Sequence, residues 1–174
     1  MHIRRIGTLL FILFIITVAL PVAAEDDPFA TDWRWTVHDA RDKLIDLAEA
    51  IPADKYGWRP ADGVRSVSEV LMHVALGNFF IPGALGIDPP TDVPTDGEKT
   101  VTTKDEVIAL LKRSFDHVDR IDLDSSKHDE LVQLFGNEWP RRRVLLLLMA
   151  HHHEHLGQMI AYARSNDVVP PWSR

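Results

Sequence analysis

The chain has 174 residues, which is enough for one domain with a substantial core and too few for two. Its formal net charge of −7 argues against nucleic acid binding, because phosphate neutralisation requires an excess of Lys and Arg. The sequence contains no cysteine, which excludes disulfides, a cysteine nucleophile and thiolate ligands and leaves nitrogen and oxygen donors for any metal site.

The first 24 residues have the pattern of a secretory signal peptide. Two arginines near the start precede an apolar run at 6–20, and small residues that suit a cleavage site end at Ala24. An uncleaved anchor is the alternative, but 15 apolar residues are fewer than the roughly 20 that span a bilayer. We expect cleavage near Ala24, membrane contact only during export, and a periplasmic or secreted domain at 25–174. The first 24 residues contain two arginines and no acidic residue, so the net charge is −7 for the whole chain and −9 for residues 25–174.

Four stretches have the periodicity of amphipathic helices. The first covers residues 31–50, the second begins at Ser66, the third begins at Thr103, and the fourth covers residues 140–166. Residues 122–139 are ambiguous between a short strand pair and an extra helical turn. No segment shows a run of alternating strands, so the pattern predicts an all-α, up-down four-helix bundle with long crossover loops after the second and third helices.

Two of these helices begin with the sequence of a capping box. Ser66 is followed three residues later by Glu69, and Thr103 is followed in the same way by Glu106. In a capping box each side chain bonds a backbone N–H of the other residue, which satisfies donors that the first helical turn leaves free. Both helices are therefore predicted to start at these residues.

The fourth predicted helix contains four of the nine histidines, in the stretch HHHEH. His151 and His155 are four residues apart, so they lie one above the other on the same helical face. Gln158 and Tyr162 continue that face, which borders the apolar side of the helix. Two imidazoles at this spacing can reach one metal ion from a rigid backbone.

The other residues of HHHEH have different expected positions. His152 is expected close to the centre of the apolar face, whereas His153 is expected on the opposite, solvated side. Glu154 stands at the wrong offset for the H-E-x-x-H motif of metalloproteases, and no carboxylate lies on the face of the histidine pair. A protease-like mechanism is therefore disfavoured.

A third ligand must come from another helix, and His73 is the histidine of the second helix. It borders an apolar face, and Gly77, one turn later, would let a neighbouring helix approach. Three neutral imidazoles with open positions are typical of a catalytic metal site. A hydrogen-bonded core histidine is the alternative for His73. The candidates for orienting the ligands or the substrate are His38, Asn78, His152, Gln158 and Tyr162.

Other residues have plainer interpretations. His38 and His117 have many charged neighbours and are expected at the surface or beside the ligands, and His128 lies in a polar loop with no expected role. The five tryptophans are expected to anchor loops and helix ends; they are Trp33, Trp35, Trp58, Trp139 and Trp172.

The segments RSVSEVLMHVALGN and HHHEHLGQMIAYARSNDVVPPWS resemble the DinB/YfiT-like superfamily, in particular its DinB_2 branch. The stretch YGWRPADGVRSV before the second helix also fits that branch. The shared motif is a histidine on the second helix and H-x-x-x-H followed by x-G-Q on the fourth. The resemblance covers essentially the whole mature chain. It implies a four-helix bundle, often a homodimer, with metal ligands at His73, His151 and His155.

The resemblance implies an activity only broadly. Relatives include thiol-dependent transferases and isomerases and metal-dependent hydrolases. We expect one divalent ion, zinc or nickel, and hydrolysis or transfer on a small molecule. The alternatives are a non-catalytic metal- or ligand-binding module of the cell envelope and a bundle that keeps the three histidines as core residues. Export would argue against thiol transfer, because low-molecular-weight thiols are scarce outside the cytoplasm. Asp167 replaces a glycine expected after the fourth helix, but Asp tolerates the left-handed conformation.

Overall fold

The structure, a computed structural model, describes residues 27–173. The predicted signal peptide lies outside the described residues, so its cleavage stays a prediction. The described chain is mostly helical, which confirms the all-α fold class. Its helices are α1 (Pro28–Ala50), α2 (Val67–Phe80), the short α3 (Gly97–Thr100), α4 (Lys104–Val118) and α5 (Arg141–Ser165), and its strands are β1 (Leu131–Leu134) and β2 (Asn137–Pro140).

The four long helices form the bundle. Helix α2 packs against α4 and α5, and α1 packs against the same two helices from the other side. Helices α1 and α2 are therefore diagonal neighbours in the bundle, as are α4 and α5. Each diagonal step needs a long connection, and residues 51–66 and 119–140 provide the two. Long connections were predicted after the second and third helices, where residues 81–103 and 119–140 lie, but not at 51–66.

Helix α1 begins three residues before the predicted start. Asp27 is its N-cap and accepts a hydrogen bond from the backbone N–H of Phe29 at 2.9 Å. Pro28 occupies the first turn, where its missing N–H costs nothing. Apolar periodicity reveals the part of a helix that is buried. The first turn of α1 has no buried residue, so the periodicity did not reveal it.

One of the two capping boxes is confirmed. In α2 the Glu69 N–H donates to the Ser66 hydroxyl at 3.3 Å, and the Ser66 N–H donates to the Glu69 carboxylate at 2.6 Å. In α4 the box is wrong, because the Thr103 hydroxyl donates to the Glu106 carboxylate instead of accepting from the backbone. The Thr103 and Glu106 side chains bond each other, so the Thr103 hydroxyl accepts no hydrogen bond from a backbone N–H of the first turn of α4.

The ambiguous segment 122–139 contains both predicted alternatives. A single turn of helix covers Ser125–Lys127, and β1 then pairs with β2 as an antiparallel hairpin with Leu134 opposite Asn137. Phe135 and Gly136 form the hairpin turn, both with positive φ.

The core is apolar and continuous between the four long helices. Val67–Leu85 is long and apolar enough to cross a membrane by length and composition, but 67 % of it is buried inside the bundle, as in the core helix of a globular protein. Trp33 is buried and donates from Nε1 to the Leu145 carbonyl at 2.9 Å, which ties α1 to α5. Trp35 is 71 % exposed, so the prediction that it anchors a loop or a helix end is wrong.

The end of α5 agrees with the expectation for Asp167. The helix ends at Ser165, and Asp167 has φ 59°, in the left-handed region. The carboxylate residue therefore occupies the conformation that a glycine would take there.

Candidate metal centre

Helix α5 presents His151 and His155 side by side. Their ring centroids are 4.6 Å apart and the rings are nearly perpendicular, at 79°. The spacing of four residues along one continuous helix is the cause, as predicted. His152, between them, points into the core and is fully buried, and His153 is exposed, both as predicted.

His73 of α2 faces this pair. Its ring centroid lies 5.1 Å from that of His151 and 4.8 Å from that of His155. One ring nitrogen from each of the three side chains lies within 4.8 Å of the others, an arrangement that could hold a metal ion. The structure thus brings together the three histidines that the sequence singled out. Their role as ligands stays a prediction.

Gly77 makes room for one of these rings. A Cβ atom at this position would lie 2.8 Å from Cε1 of His151, closer than real Cβ contacts. The glycine was predicted to allow a close helix approach, and the structure shows that the group it admits is the His151 side chain. Without that space the ring could not lie between α2 and α5.

Hydrogen bonds orient two of the three imidazoles. His73 Nδ1 lies 2.7 Å from a Glu98 carboxylate oxygen, and His155 Nδ1 lies 2.9 Å from the Gln158 side-chain oxygen. Because both oxygens act as acceptors, each Nδ1 carries the proton and each Nε2 keeps its lone pair. The Nδ1 of His151 is buried without a hydrogen-bond partner among the described residues. This donor set, two fixed imidazoles and one with an unsatisfied nitrogen, fits a divalent metal with a preference for nitrogen ligands.

Glu98 is the residue of this site that the sequence reasoning missed. It lies in α3, and its second carboxylate oxygen accepts from Nε of Arg65 at 2.8 Å. Burial alone would raise the pKa of Glu98, but the hydrogen bonds from Arg65 and His73 outweigh it and hold the pKa below its usual range. The group is therefore an ionised carboxylate at neutral pH, the usual partner of a metal-binding histidine.

A glycine explains how α3 reaches this position. Gly97 is buried against α2, where an added Cβ would lie 3.0 Å from Cε of Met72. Glu98 follows directly and so comes within reach of His73, one residue after Met72. A four-residue helix has no periodicity to detect, which is why the sequence did not reveal this carboxylate.

Burial keeps His151 and His155 of α5 neutral. Burial is the largest cause, and the neighbouring His155 and His73 act in the same direction, so that together they lower the pKa of His151 to about 4. Burial also lowers the pKa of His155, against the opposing effect of its hydrogen bond to Gln158. Neutral imidazole is the form that binds metal, so protonation does not compete at neutral pH.

Gln158 lies beside His155, and Tyr162 lies beside Gln158. Gln158 donates to the Tyr162 hydroxyl at 3.1 Å, and that hydroxyl donates to the Arg65 carbonyl at 3.0 Å. The chain of bonds connects His155 to the loop before α2. It fixes the amide so that its oxygen faces His155.

Three other candidates have different surroundings. Asn78 and His152, proposed beside the ligands or substrate, instead bond each other in the core at 2.6 Å, and Asn78 also donates to Ser114 of α4 at 3.0 Å. This buried pair ties three helices together. His38 pairs with Asp119, the residue that follows α4, at 2.7 Å, and not with any of the three clustered histidines.

Two further histidines, His117 and His128, lie outside the cluster. His117 was expected at the surface or beside the ligands, but it is only 3 % exposed and packs against the Phe79 ring at 5.6 Å. Its charged neighbours lie on the outer side of α4, while the histidine itself turns inward. His128 packs edge-on against Phe29 at 4.7 Å, so it contacts α1 and has no part in the cluster.

Two clefts open beside the three histidines. A polar cleft of about 590 Å³ is lined by charged residues that include Arg59, Arg65 and Glu98, together with Gln158. A second cleft of about 350 Å³ includes His73 and His151, and most of its other lining is apolar. The cluster is thus accessible from outside: 28 % of the His73 side chain is exposed.

Comparison with known proteins gives a family match. Residues 36–159 match the DinB_2 profile of the DinB superfamily, a stretch of more than half the chain that includes all three clustered histidines. A comparison with curated proteins finds no match.

Two solved structures share the fold. A DinB-like protein from Bacillus cereus ATCC 10987 has a TM-score of 0.67 at 14 % identity, over 81 % of this chain and 95 % of that one. A DinB-like protein from Bacillus subtilis has a TM-score of 0.62 at 19 % identity, over 82 % of this chain and 97 % of that one. At these identities the likeness establishes the fold alone.

Proposed function

The chain belongs to the DinB superfamily, and from this and its three-histidine cluster we propose that it is a metal-dependent hydrolase or transferase of a small molecule. One divalent ion, zinc or nickel, is held by His73, His151 and His155. The observation that carries the proposal is the approach of the three ligand atoms to within 4.8 Å of one another. Two of these rings are already oriented by hydrogen bonds to Glu98 and Gln158.

The residues around the cluster have separate tasks in this proposal. The metal, when bound, supplies Lewis acidity and lowers the pKa of a coordinated water toward about 7. Glu98 holds the His73 proton on Nδ1, and its negative charge stabilises positive charge on the His73 ring. Gln158 likewise holds the His155 proton on Nδ1, but its amide oxygen carries no formal charge. Arg65 keeps Glu98 ionised and occupied, so Glu98 orients a ligand and is not free to take a proton from substrate.

Access favours an enzyme over a metal-binding module that does not catalyse. A site for metal capture or stability gains from being closed and dry, whereas a catalytic site must keep positions open to substrate. Here His73 and His151 line an open cleft, and Gln158 and Glu98 line a second one. The binding module remains the second candidate, and a metal-loaded protein that turns over no ester, amide or thiol substrate would favour it.

Metal analysis tests the ligand set directly. Protein made without a histidine tag is expected to contain about one divalent ion per chain, and His73→Ala, His151→Ala and His155→Ala are each expected to lose it. His153→Ala is the matched control, because His153 is exposed on the same helix and is expected to keep the metal. Equal, negligible metal in the wild type and the three variants would refute the proposal.

A thermal melt gives an independent readout. Metal at 100-fold excess over Kd stabilises the folded state by about 2.7 kcal/mol when the unfolded chain does not bind it. A chelator is expected to remove this gain from the wild type and from His153→Ala, but to change nothing in His155→Ala. A wild-type melt that is insensitive to both metal and chelator would contradict a tight site.

We also propose that the protein is exported, is cleaved near Ala24 and acts in the periplasm or outside the cell as a homodimer. The basic, apolar and small-residue pattern of the first 24 residues supports export. N-terminal sequencing of protein from the extracytoplasmic fraction would identify the first mature residue, expected at Glu25. Light scattering of the purified domain would give its oligomeric state.

A further inference from the structure

The tip of the β1–β2 hairpin carries an aromatic residue in an unfavourable conformation. Phe135 has φ 51° and Gly136 has φ 74°. A two-residue turn with positive φ at both positions favours Asn-Gly or Gly-Gly, and a bulky residue there is an outlier. Asn137 donates from its side chain to the Phe135 carbonyl at 3.0 Å, which helps to hold the turn. The Phe135 side chain nevertheless remains 70 % exposed, so core packing does not compensate for the strain.

Neighbouring side chains hold this aromatic ring from one side. Phe135 lies edge-on to Trp139, with ring centroids 6.5 Å apart and planes at 87°. The guanidinium of Arg143 lies 4.1 Å above the Trp139 ring. The ring is therefore positioned by the hairpin and the start of α5.

The other side of Phe135 faces the apolar cleft of the histidine cluster. The cleft has a volume of about 350 Å³, which is within the range of small-molecule sites. Phe80, 40 % exposed, also lines it, so two large aromatic side chains stay partly open to solvent at one place. The residues that complete its lining are His73, Leu76, Gly77, Ile81, Glu98, Leu147 and His151.

We propose that Phe135 is a specificity-determining residue that covers an alkyl or aryl group of the substrate in this cleft. The polar, reacting part of the same small molecule lies at His73 and His151. Because these histidines are proposed metal ligands, the inference rests on the proposed function. A strained, exposed aromatic ring gains its contacts when such a group fills the cleft, and an Asn or Gly at the tip would fold more easily but would leave the cleft open.

Hydroxamates of increasing chain length test this on the zinc-loaded protein. Acetohydroxamate binds through its chelating head alone, whereas hexano- and octanohydroxamate add methylenes that the cleft can bury. The expected affinity gain is up to about fourfold per buried methylene. Phe135→Asn is expected to bind acetohydroxamate like the wild type and octanohydroxamate about tenfold more weakly. Leu131→Asn is the matched control, since Leu131 is an exposed apolar residue of the same hairpin outside the cleft lining.

A stability measurement separates this role from a structural one. Asn tolerates the left-handed region, so Phe135→Asn is expected to keep or raise the melting temperature while it loses affinity for long chains. A lower melting temperature with an unchanged chain-length gradient would mean that Phe135 only supports the fold. A wild-type protein without any chain-length gradient would also overturn the proposal. Phe135→Gly provides a second variant with the same expected signs.

A metal-free arm keeps the two proposals distinguishable. In methyl NMR of the metal-free wild type, 1-hexanol is expected to shift the methyl signals of Leu76, Ile81 and Leu147, whereas ethanol is expected to leave them unchanged. In Phe135→Asn the shifts caused by 1-hexanol are expected to be smaller. If the protein binds no metal but hexanol gives this pattern, the proposed function fails and the apolar subsite stands. If the protein binds metal but hexanol perturbs none of these methyls, the subsite fails alone.

Discussion

At the scale of single residues, the candidate site depends on which nitrogen of each histidine carries the proton. Glu98 and Gln158 decide this for His73 and His155, because their oxygens accept from Nδ1. In the proposed metal site, the Nε2 atoms of these two histidines would thus be oriented before any metal arrives, so that less orientational freedom would be lost on binding.

Loss of the Glu98 carboxylate is expected to weaken the site without unfolding the protein. Glu98→Ala removes the acceptor for His73 and the partner of Arg65. Partners of this kind typically contribute 10- to 100-fold in metal affinity, and we expect a loss in that range. Competition with a chromophoric chelator would measure it. Glu154→Ala, at an exposed position on α5, is the control, and equal affinities in the two variants would contradict the role of Glu98.

Replacing Gly77 or Gly157 by Ala is expected to affect metal affinity differently. Gly77→Ala would place a Cβ 2.8 Å from the His151 ring, so the ring must move and metal affinity is expected to fall. A Cβ atom at Gly157, on the exposed side of α5, would have no atom of residues 27–173 within 4 Å, apart from its own helix backbone and chain neighbours. Gly157→Ala is expected to leave metal affinity unchanged and to stabilise the protein by about 0.5–1 kcal/mol, the helix preference of Ala over Gly. Chelator competition and urea unfolding give the two readouts, and unimpaired metal binding in Gly77→Ala would show that His151 is not a ligand.

At the scale of elements, the helix starts differ in how they are capped. Ser66→Ala removes a hydroxyl that accepts from the Glu69 N–H and is expected to cost about 0.5–2 kcal/mol. Thr103→Ala is expected to cost less than about 0.5 kcal/mol, since the Thr103 hydroxyl bonds a side chain and caps no backbone donor. Urea unfolding measures both free energies. Equal costs would show that the two starts are capped alike.

The elements also differ in how far the sequence revealed them. Helices α1, α4 and α5 were predicted because each buries mainly one face and so repeats its apolar residues at helical spacing. Helix α2 is buried around most of its circumference, and the capping box at Ser66 and Glu69 marked its start. The hairpin β1–β2 was only an alternative, because four-residue strands such as Leu131–Leu134 are too short for a clear alternation. Helix α3, which carries Glu98, was not predicted, since it has a single turn and owes its place to the contact of Gly97 with α2.

At the scale of the whole molecule, buried histidines make the stability of the metal-free protein depend on pH. Burial lowers the pKa of His151 to about 4 and that of His152 to about 3, and it lowers the pKa of His155 and His117 as well. Between these values and the usual pKa of about 6.5, the unfolded chain binds more protons than the folded one. Their contribution to stability is therefore fully present above about pH 6.5 and is lost as the pH falls toward 4.

Urea midpoints at several pH values check this prediction. The free energy of unfolding of the chelator-treated protein is expected to fall steadily from pH 7 to pH 5. His153→Gln is expected to fall in parallel with the wild type, because that histidine is exposed in the folded protein. A free energy of unfolding that stays constant or rises over this interval would mean that His151, His152 and His155 are not buried as neutral groups.

By itself, the sequence determined the four long helices, the shared face of His151 and His155, and His73 as their partner across the bundle. The helices and the shared face follow from local geometry, because helical spacing dictates which side chains share a face and which face is buried. The choice of His73 rests on the resemblance of its segment to the DinB superfamily motif. Only the tertiary structure decided that Glu98 reaches His73, that Asn78 and His152 bond each other in the core, and that Phe135 borders the apolar cleft. Such contacts depend on the paths of irregular loops between helices, and those paths are set by packing against residues far away in the chain.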